Sequence, residues 1–261
     1  MSLLEEILRQ KAVESAALRG VQRSRPAALG RRDAIAALRR PPGAPLRLIA
    51  EIKFRSPSAG ALSQKLDAPA RAQAYERAGA TMVSILTDER WFGGSFDDLS
   101  RAREAMGLPV LCKDYLVDSA QIDRAWAAGA DAMLVIVRCL RDATRLAAML
   151  EGLRQRGLEP FVEVVDEQEL AMALDAGASL IGVNARDLDT LEMDAARARR
   201  VLGRIPPSVV AVHLSGLKSA ADTAEIAASR ADAALIGEAL MRLDDPEPLL
   251  RELVRAASTG R

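Results

Sequence analysis

After about residue 45 the chain alternates between short apolar runs and longer amphipathic stretches. Each run of aliphatic and β-branched residues leads into a polar loop, and then into roughly 10 to 16 residues whose apolar positions recur with helical spacing. Strands that alternate with helices in this way are typical of parallel sheets. Eight strands are predicted, at 46–54, 81–88, 109–115, 131–139, 159–166, 179–187, 209–216 and 232–240.

The ends of the helical stretches support the same interpretation. Several stretches begin on an Asp or Ser that can cap a helix, and three end on Gly. The tripeptide Ala-Gly-Ala recurs directly before the second, fourth and sixth strands, and this spacing of about 50 residues fits two strand–helix units per repeat. Eight units over about 215 residues predict an α/β fold, the (β/α)8 TIM barrel.

Residues 1–45 precede the first predicted strand. They contain two helical patterns, at 3–20 and 31–40, and then a linker rich in Pro and Gly. This segment offers no credible second core. We therefore expect a single domain over residues 1–261, in which 1–45 form an N-terminal helical extension packed on the barrel.

Composition narrows the classes of partner. Lys plus Arg and Asp plus Glu both number 36, so no field of one sign favours nucleic acid or an anionic membrane. The N-terminus lacks a signal-peptide pattern, and no apolar run approaches the roughly 20 residues of a membrane helix. We expect a cytoplasmic monomer or weak homo-oligomer. Cys112 and Cys139 lack metal-site spacing, and we interpret both as buried thiols in strands.

Polar side chains stand toward the C-terminal ends of four predicted strands. They are Glu51 and Lys53 on the first strand, Lys113 on the third, Glu163 on the fifth, and Asn184 with Arg186 on the sixth. Residues two apart on a strand share a face, and barrel active sites lie at this end. One interpretation is a set of salt bridges at the barrel mouth. The other is an acid–base site, because acids and lysines held close in a partly dry site exchange protons near neutral pH.

Two later loops suggest an anion site. Ser215 and Gly216 end the seventh strand, and Gly237 with Glu238 begins a helix after the eighth. Glycines let backbone N–H groups approach a ligand, and barrels often bind phosphate after strands seven and eight. Ordinary tight turns are the alternative. Ser56, in the turn after the first strand, can add a hydroxyl group.

Aromatic residues are scarce, yet five fall at or just beyond the ends of the first three strands: Phe54, Trp91, Phe92, Phe96 and Tyr115. A flat apolar wall beside the acid–base residues suits a substrate with an aromatic ring. Packing within the loop after the second strand is an equally good use for Trp91 and Phe96.

The motifs AEIKFRSPSAG, SILTDERWFGGSF, PVLCKDY, FVEVVDE, GVNARDLDTLEMD and ALIGEALM carry a resemblance. In order and spacing they resemble the motifs of indole-3-glycerol-phosphate synthase over essentially the whole chain. The resemblance implies a barrel with an N-terminal helical segment. It also implies ring closure of 1-(2-carboxyphenylamino)-1-deoxyribulose 5-phosphate in tryptophan biosynthesis, with release of carbon dioxide and water and without a metal or organic cofactor. The implied partner is this anionic phosphosugar.

The resemblance also implies roles for single residues. Lys113 is the implied general acid at the ketose carbonyl, Glu163 the acid–base group for dehydration, and Glu51 an aid to that proton traffic. The implied substrate contacts are Lys53 and Ser56, then Asn184 and Arg186 for the anthranilate part. The implied phosphate contacts are Ser215, Gly216, Gly237 and Glu238. The implied apolar wall consists of Pro57, Phe92, Tyr115, Leu134, Leu188 and Leu191.

The sequence departs from the family at one place. The family usually has an acid directly before Ser-Gly, and here Leu214 stands among the substrate-binding positions. Leucine accepts no hydrogen bonds, which implies weaker binding, a lower rate or an altered substrate. His213, the only histidine, should face the helices by strand alternation.

Two other functions stay open. Another phosphosugar barrel enzyme, such as a phosphoribosylanthranilate isomerase, would share the phosphate loops without requiring Lys113, Glu163, Asn184 and Arg186 together. A catalytically weakened barrel that serves as a binding subunit is the second alternative, and Leu214 makes it conceivable. The presence of both implied proton carriers argues against it.

Overall fold

The computed structural model describes residues 2–140, 142–187, 190 and 192–259. Eight parallel strands close into a barrel in which each strand pairs with its neighbours in chain order, and the last pairs with the first. The strands are β1 (Arg47–Ile52), β2 (Met82–Leu86), β3 (Val110–Lys113), β4 (Ala132–Ile136), β5 (Glu159–Val164), β6 (Leu180–Asn184), β7 (Val210–Leu214) and β8 (Ala233–Ile236). The predicted (β/α)8 fold is confirmed.

Two helices precede the first strand, and the other helices in the described ranges follow the strands around the outside of the barrel. In chain order the helices are α1 (Leu3–Ala16), α2 (Ala34–Leu38), α3 (Ala68–Ala78), α4 (Glu89–Phe92), α5 (Phe96–Ala105), α6 (Ala120–Ala127), α7 (Val137–Leu140), α8 (Ala143–Gln155), α9 (Glu167–Asp175), α10 (Ala195–Gly203), α11 (Ala220–Ala227), α12 (Glu238–Met241) and α13 (Glu247–Ala256). Within the described part of the chain, every helix is too short or too polar to cross a bilayer.

Local sequence signals set several helix ends. Asp67 begins α3 by accepting a hydrogen bond from the Ala70 amide, and Asp166 begins α9 in the same way. Gly79 ends α3 with φ at 99°, a left-handed conformation that glycine adopts without a steric penalty. The predicted caps Asp166 and Ser219 therefore act where the sequence places them, whereas Ser119, before α6, makes no side-chain cap hydrogen bond.

Two predicted details are wrong. The fourth strand ends at Ile136, because the apolar run continues into α7, and an apolar run alone does not separate a buried strand from a buried helix. Cys139 consequently lies in a helix, although both cysteines are buried and free. The turn after β1 is also more regular than predicted, since Arg55–Ser56 and Gly60–Ala61 pair as a short antiparallel hairpin.

The apolar residues form two cores. One fills the layer between strands and helices, and the other fills the barrel interior. Along β7, Val212 and Leu214 belong to the interior core, whereas Ala211 packs toward the helices. This alternation places the polar ends of the strands around the barrel mouth.

The N-terminal extension packs on both ends of the barrel. Helix α1 contributes Leu4 and Ile7 to the interior core at the mouth, and α2 contributes Leu38. At the opposite end, Arg39 donates a hydrogen bond to the Ser208 carbonyl, just before β7. The predicted helical extension is therefore present.

Candidate active site

A buried carboxylate holds two ammonium groups at the mouth of the barrel. Glu51, near the end of β1, is 2% exposed. Its Oε1 lies 2.7 Å from Nζ of Lys53, and its Oε2 lies 2.9 Å from Nζ of Lys113, at the end of β3. The period-2 spacing on β1 and the inward direction of β3 bring the three groups together. The result is a cluster with one negative and two positive charges.

Electrostatics fixes the charge of this cluster. Burial opposes ionisation of Glu51, but the ammonium groups of Lys113 and Lys53 outweigh it and lower the Glu51 pKa to about 2. Burial likewise opposes the charge of Lys113, yet Glu51 and Glu163 outweigh it and raise the Lys113 pKa. Both groups are therefore ionised at neutral pH.

Glu163, on β5, has the opposite behaviour. It is 2% exposed, and its Oε1 accepts a hydrogen bond of 2.9 Å from the Asn184 side chain on β6. Burial raises the Glu163 pKa, although Lys113 and Asn184 act in the other direction. The Asn184 side chain also accepts from the Arg186 amide at 3.0 Å, which orients it. Two carboxyl groups with pKa values moved apart are a recurrent acid–base arrangement.

These polar groups face a cavity of about 130 Å³ whose opposite wall is apolar. Phe92 and Tyr115 form part of that wall with their ring centroids 6.4 Å apart. The predicted site residues that line this cavity are Glu51, Lys53, Ser56, Pro57, Phe92, Lys113, Tyr115, Leu134, Glu163, Asn184, Arg186 and Ser215. A polar side and a flat apolar side suit a ligand that carries both an anionic group and an aromatic ring.

The cavity continues into a second chamber beside the last two strands. Ser215, Gly216, Gly237 and Glu238 line this chamber, as predicted from the two loops. Gly237 has a further structural role, because a Cβ there would lie 2.5 Å from Oε1 of Glu51. The absence of a side chain therefore leaves space for the carboxylate and its ammonium partners.

Two cations of the second chamber escaped the sequence prediction. Lys218 and Arg242 line it together with Lys53 and Arg186. Arg242 lies 2.7 Å from the Glu238 carboxylate, and this hydrogen bond lowers the Glu238 pKa. Lys218 follows the Ser-Gly motif by two residues, so its proximity was a usable signal. Arg242 directly follows the short helix α12, whose start the sequence predicted, but no motif indicated that its side chain lines the chamber.

Leu214 lies beneath the mouth and does not line either chamber. It is 1% exposed, and its Cδ1 occupies the space above Gly182, beside the Phe161 ring. Leu188 and Leu191 lie outside the described residues. His213 faces the groove between α10 and α11, as strand alternation predicted.

The other aromatic residues have packing roles. Phe54 and Phe96 pack against the core between strands and helices, and the Arg124 guanidinium lies 4.1 Å from the Phe96 ring centroid. The Trp91 indole donates to the Gln10 side chain on α1 at 2.9 Å. Of the five predicted wall residues, Phe92 and Tyr115 therefore form the cavity wall.

Helix α1 is held over the mouth by a second buried cluster. Lys11 is 3% exposed, and its Nζ lies 2.7 Å from Asp88 and 2.8 Å from Asp114, which follow β2 and β3. The same helix supplies Leu4 and Ile7 to the cavity lining. The sequence predicted that α1 packs on the barrel but did not indicate that it borders the site.

Among the described residues, no group of three or more His, Cys, Asp and Glu side chains is placed to hold a metal ion. The cavity offers lysines, single carboxyl groups and backbone amides instead.

The fold and the cavity define a (β/α)8-barrel protein with buried carboxyl groups, lysines and two glycine-containing loops at its strand ends. Solved structures share the fold. A 3-hexulose-6-phosphate synthase matches with a TM-score of 0.64 at 16% identity, over 81% of this chain and 99% of its own. A thiamine phosphate pyrophosphorylase from Pyrococcus furiosus matches with a TM-score of 0.59 at 15% identity, over 81% and 95%.

The sequence profile of indole-3-glycerol phosphate synthase matches residues 4–253, and the chain belongs to this family. A synthase of that name from Parafrankia sp. is 46% identical over 227 residues, which is 87% of this chain and 83% of the relative. One from Mycobacterium leprae is 45% identical over 87% of this chain and 82% of its own. One from Mycobacteroides abscessus is 41% identical over 96% and 89%.

Proposed function

We propose that the protein is a carbon–carbon lyase that converts 1-(2-carboxyphenylamino)-1-deoxyribulose 5-phosphate into indole-3-glycerol phosphate, carbon dioxide and water, in tryptophan biosynthesis. Membership of the family supports this reaction. The observation that carries it is the pair of buried carboxyl groups with opposite pKa shifts around Lys113. Glu51 keeps the Lys113 ammonium group charged, and Glu163 is able to carry a proton.

Ring closure requires a cation at the ketose oxygen. The ring carbon that bears the carboxylate attacks the carbonyl carbon, a C–C bond forms, and the carbonyl electron pair moves to oxygen. The Lys113 ammonium neutralises and protonates that oxygen. The bond to the carboxylate then breaks, and its electrons restore the aromatic ring. Lys113 regains a proton from solvent, which is the one proton that the whole reaction consumes.

Dehydration and rearomatisation require a group that gives and then takes a proton. Glu163 donates to the hydroxyl group, which leaves as water, and its carboxylate then accepts the proton from the adjacent carbon. A raised pKa suits the first step, because a larger fraction of Glu163 is protonated near neutral pH. Glu51 assists this traffic through the two ammonium groups that it holds.

The remaining predicted residues bind the substrate. We assign Lys53 and Ser56 to the sugar part and Asn184 with Arg186 to the anthranilate part. Glu238 contributes its backbone amide, since its carboxylate pairs with Arg242. The phosphate is bound by Ser215, Gly216, Gly237 and Glu238, and the apolar wall is formed by Pro57, Phe92, Tyr115 and Leu134. Leu188 and Leu191 stay predictions for this wall, and Leu214 supports it from the layer below.

The test is direct. Purified protein incubated with 1-(2-carboxyphenylamino)-1-deoxyribulose 5-phosphate should generate indole fluorescence, and binding of this substrate without product would favour a binding subunit. Turnover of phosphoribosylanthranilate alone would favour the isomerase alternative. In Glu163→Gln we expect a decarboxylated, still hydrated intermediate to accumulate in single-turnover analysis, and rapid product formation would remove Glu163 from the mechanism.

The assembly and location also belong to this proposal. The large apolar side chains that are exposed among the described residues are Val13, Val21, Met193 and Leu243, which is few for a stable oligomer interface. We therefore propose a monomer or weak homo-oligomer that acts in the cytoplasm, where a charged phosphosugar is retained. Light scattering at several protein concentrations tests the assembly, and a stable oligomer at micromolar concentration would contradict it.

A further inference from the structure

His213 stands directly behind the loop that faces the second chamber. Its Nε2 lies 3.0 Å from the carbonyl oxygen of Ser215. A carbonyl oxygen only accepts hydrogen bonds, so Nε2 must carry the hydrogen and donate it. The single histidine of the chain thus holds the backbone of the residue two positions later.

Ser215 has an uncommon backbone. Its φ is 69°, and it is the only non-glycine residue in the described ranges with a positive φ. A side chain in the left-handed region is strained, and such residues persist where neighbouring groups hold them. Gly216 follows with φ at 90°, so the chain makes two successive left-handed steps at the chamber wall.

This backbone decides where two amide groups lie. Ser215 and Gly216 line the second chamber, beside Lys53 and Lys218. Within the described residues, neither the Ser215 amide nor the Gly216 amide has a hydrogen-bond acceptor in the protein. Successive amides in such a turn form a concave site for an anion. Their direction depends on the conformation that the His213 bond holds.

Among the described residues, the groove around His213 offers the imidazole no other hydrogen bond. It is lined by Leu202 and Ile226, and by Arg199 and Glu225, which form an ion pair with each other. Burial lowers the His213 pKa, so the ring is largely neutral at physiological pH. A neutral ring with its hydrogen on Nε2 is a fixed donor to the Ser215 carbonyl.

We propose that His213 is a positioning residue for the phosphate group of the substrate. It donates to the Ser215 carbonyl, holds Ser215 in the left-handed conformation, and so keeps the Ser215 and Gly216 amides directed at the chamber. The proposal rests on the proposed function for the identity of the phosphorylated ligand. The affinity for phosphate therefore depends in part on His213, a residue that does not contact the phosphate itself.

The test compares two replacements of His213 and one neighbouring control. His213→Leu removes the donor and retains bulk, whereas His213→Gln can place an amide nitrogen near Nε2. In His213→Leu we expect the inhibition constant of inorganic phosphate and the KM to rise about five- to tenfold, with kcat within about twofold. His213→Gln and the groove control Glu225→Gln should stay within about twofold of the wild type. Normal phosphate affinity in His213→Leu, or equal loss in His213→Gln, would overturn the proposal.

The same replacement made in a Ser215→Gly background distinguishes loss of backbone positioning from general destabilisation of the protein. Glycine adopts a φ of 69° without strain, so Ser215→Gly should make the His213 bond largely unnecessary. We expect His213→Leu to change phosphate affinity less than about twofold in the Ser215→Gly background. If His213→Leu alone does not fold, the double variant should fold and bind phosphate as Ser215→Gly does. A double variant that is unfolded, or that loses about tenfold again, contradicts the proposal.

Failure of the proposed function gives a different result. Absence of turnover in the wild type would reject the assigned reaction. The ratio of phosphate affinities between variants, measured by calorimetry with inorganic phosphate, is independent of turnover. It therefore decides the role of His213 separately.

Discussion

Two buried charge clusters near the mouth of the barrel, both among the described residues, have opposite arrangements of charge. In one, the Glu51 carboxylate binds the ammonium groups of Lys53 and Lys113. In the other, the Lys11 ammonium binds the carboxylates of Asp88 and Asp114. The distances are similar, between 2.7 and 2.9 Å in both. What differs is the exposure of the outer partners.

In the Glu51 cluster the outer groups face the cavity, since 16% of the Lys53 side chain and 19% of the Lys113 side chain are exposed. In the Lys11 cluster, Asp88 and Asp114 are 1% and 4% exposed. Asp88 and Asp114 stabilise the docking of α1 through Lys11, although Asp114 also borders the cavity. The partly exposed ammonium groups of Lys53 and Lys113 are also able to contact a ligand in the cavity. The same charge chemistry therefore anchors a helix in one place and, under the proposed function, takes part in catalysis in the other.

The largest effect is expected at Lys113. Lys113→Met should lower kcat about 10²- to 10⁴-fold, because the charge that develops on the ketose oxygen loses its cation. Substrate affinity should stay within about tenfold, measured by equilibrium binding beside steady-state kinetics. The control Lys65→Met removes an exposed ammonium that lies outside the cavity. Near-normal turnover in Lys113→Met would contradict the assigned role.

The next effect concerns stability. Lys11→Met leaves Asp88 and Asp114 buried without their cation, which should destabilise the docked state of α1 by about 3–5 kcal/mol. Hydrogen exchange of residues 3–16 and the free energy of unfolding in urea measure this loss. Lys65→Met removes one partner of an exposed pair with Asp244 and should leave the free energy of unfolding almost unchanged. Equal losses of stability in Lys11→Met and Lys65→Met would contradict the structural role of the buried Lys11 cluster.

A third prediction uses the space around Glu51. In Gly237→Ala the new methyl group would lie 2.5 Å from Oε1 of Glu51 and 3.1 Å from Nζ of Lys53. We expect kcat/KM to fall about tenfold or more as the cluster is displaced. The control Gly203→Ala adds a methyl group with nothing within 4 Å. It should leave kcat/KM unchanged, and unchanged activity in both variants would show that the cluster tolerates the shift.

The smallest effect is a difference in pH dependence between the two site carboxyl groups. Folding lowers the Glu51 pKa from 4.5 to about 2. Between these pH values the unfolded chain therefore binds more protons than the folded protein. The stability that Glu51 adds is consequently lost as the pH falls from 4.5 to 2. The Glu163 pKa lies above 4.5, so the folded state binds more protons, and its contribution to stability declines as pH rises above 4.5.

Each slope is at most about 1.4 kcal/mol per pH unit. Urea unfolding at a series of pH values should show that Glu163→Gln removes the decline above pH 4.5. Glu51→Gln should remove the loss below it. A decline above pH 4.5 that persists unchanged in Glu163→Gln would contradict the raised pKa of this residue.

Much of the site was visible along the chain. The period-2 spacing of Glu51 and Lys53 predicted a shared face, and the strand ends predicted a common mouth, which the cavity confirms. Arg242 and the α1 residues Leu4 and Ile7 were missed, because helix α12 and helix α1 reach the cavity through tertiary packing. Leu214 was taken for a mouth residue from its motif, and the structure places it one layer deeper.

The sequence by itself determined the order of strands and helices, the residues at the strand ends, and the family, because these depend on periodicity and on local motifs. Tertiary structure decided which carboxyl group would be permanently charged. Glu51 and Glu163 are equally buried, but Glu51 meets two ammonium groups at hydrogen-bond distance and Glu163 meets the amide of Asn184. A pKa depends on the charges within a few ångströms, and those neighbours come from strands that only barrel closure brings together.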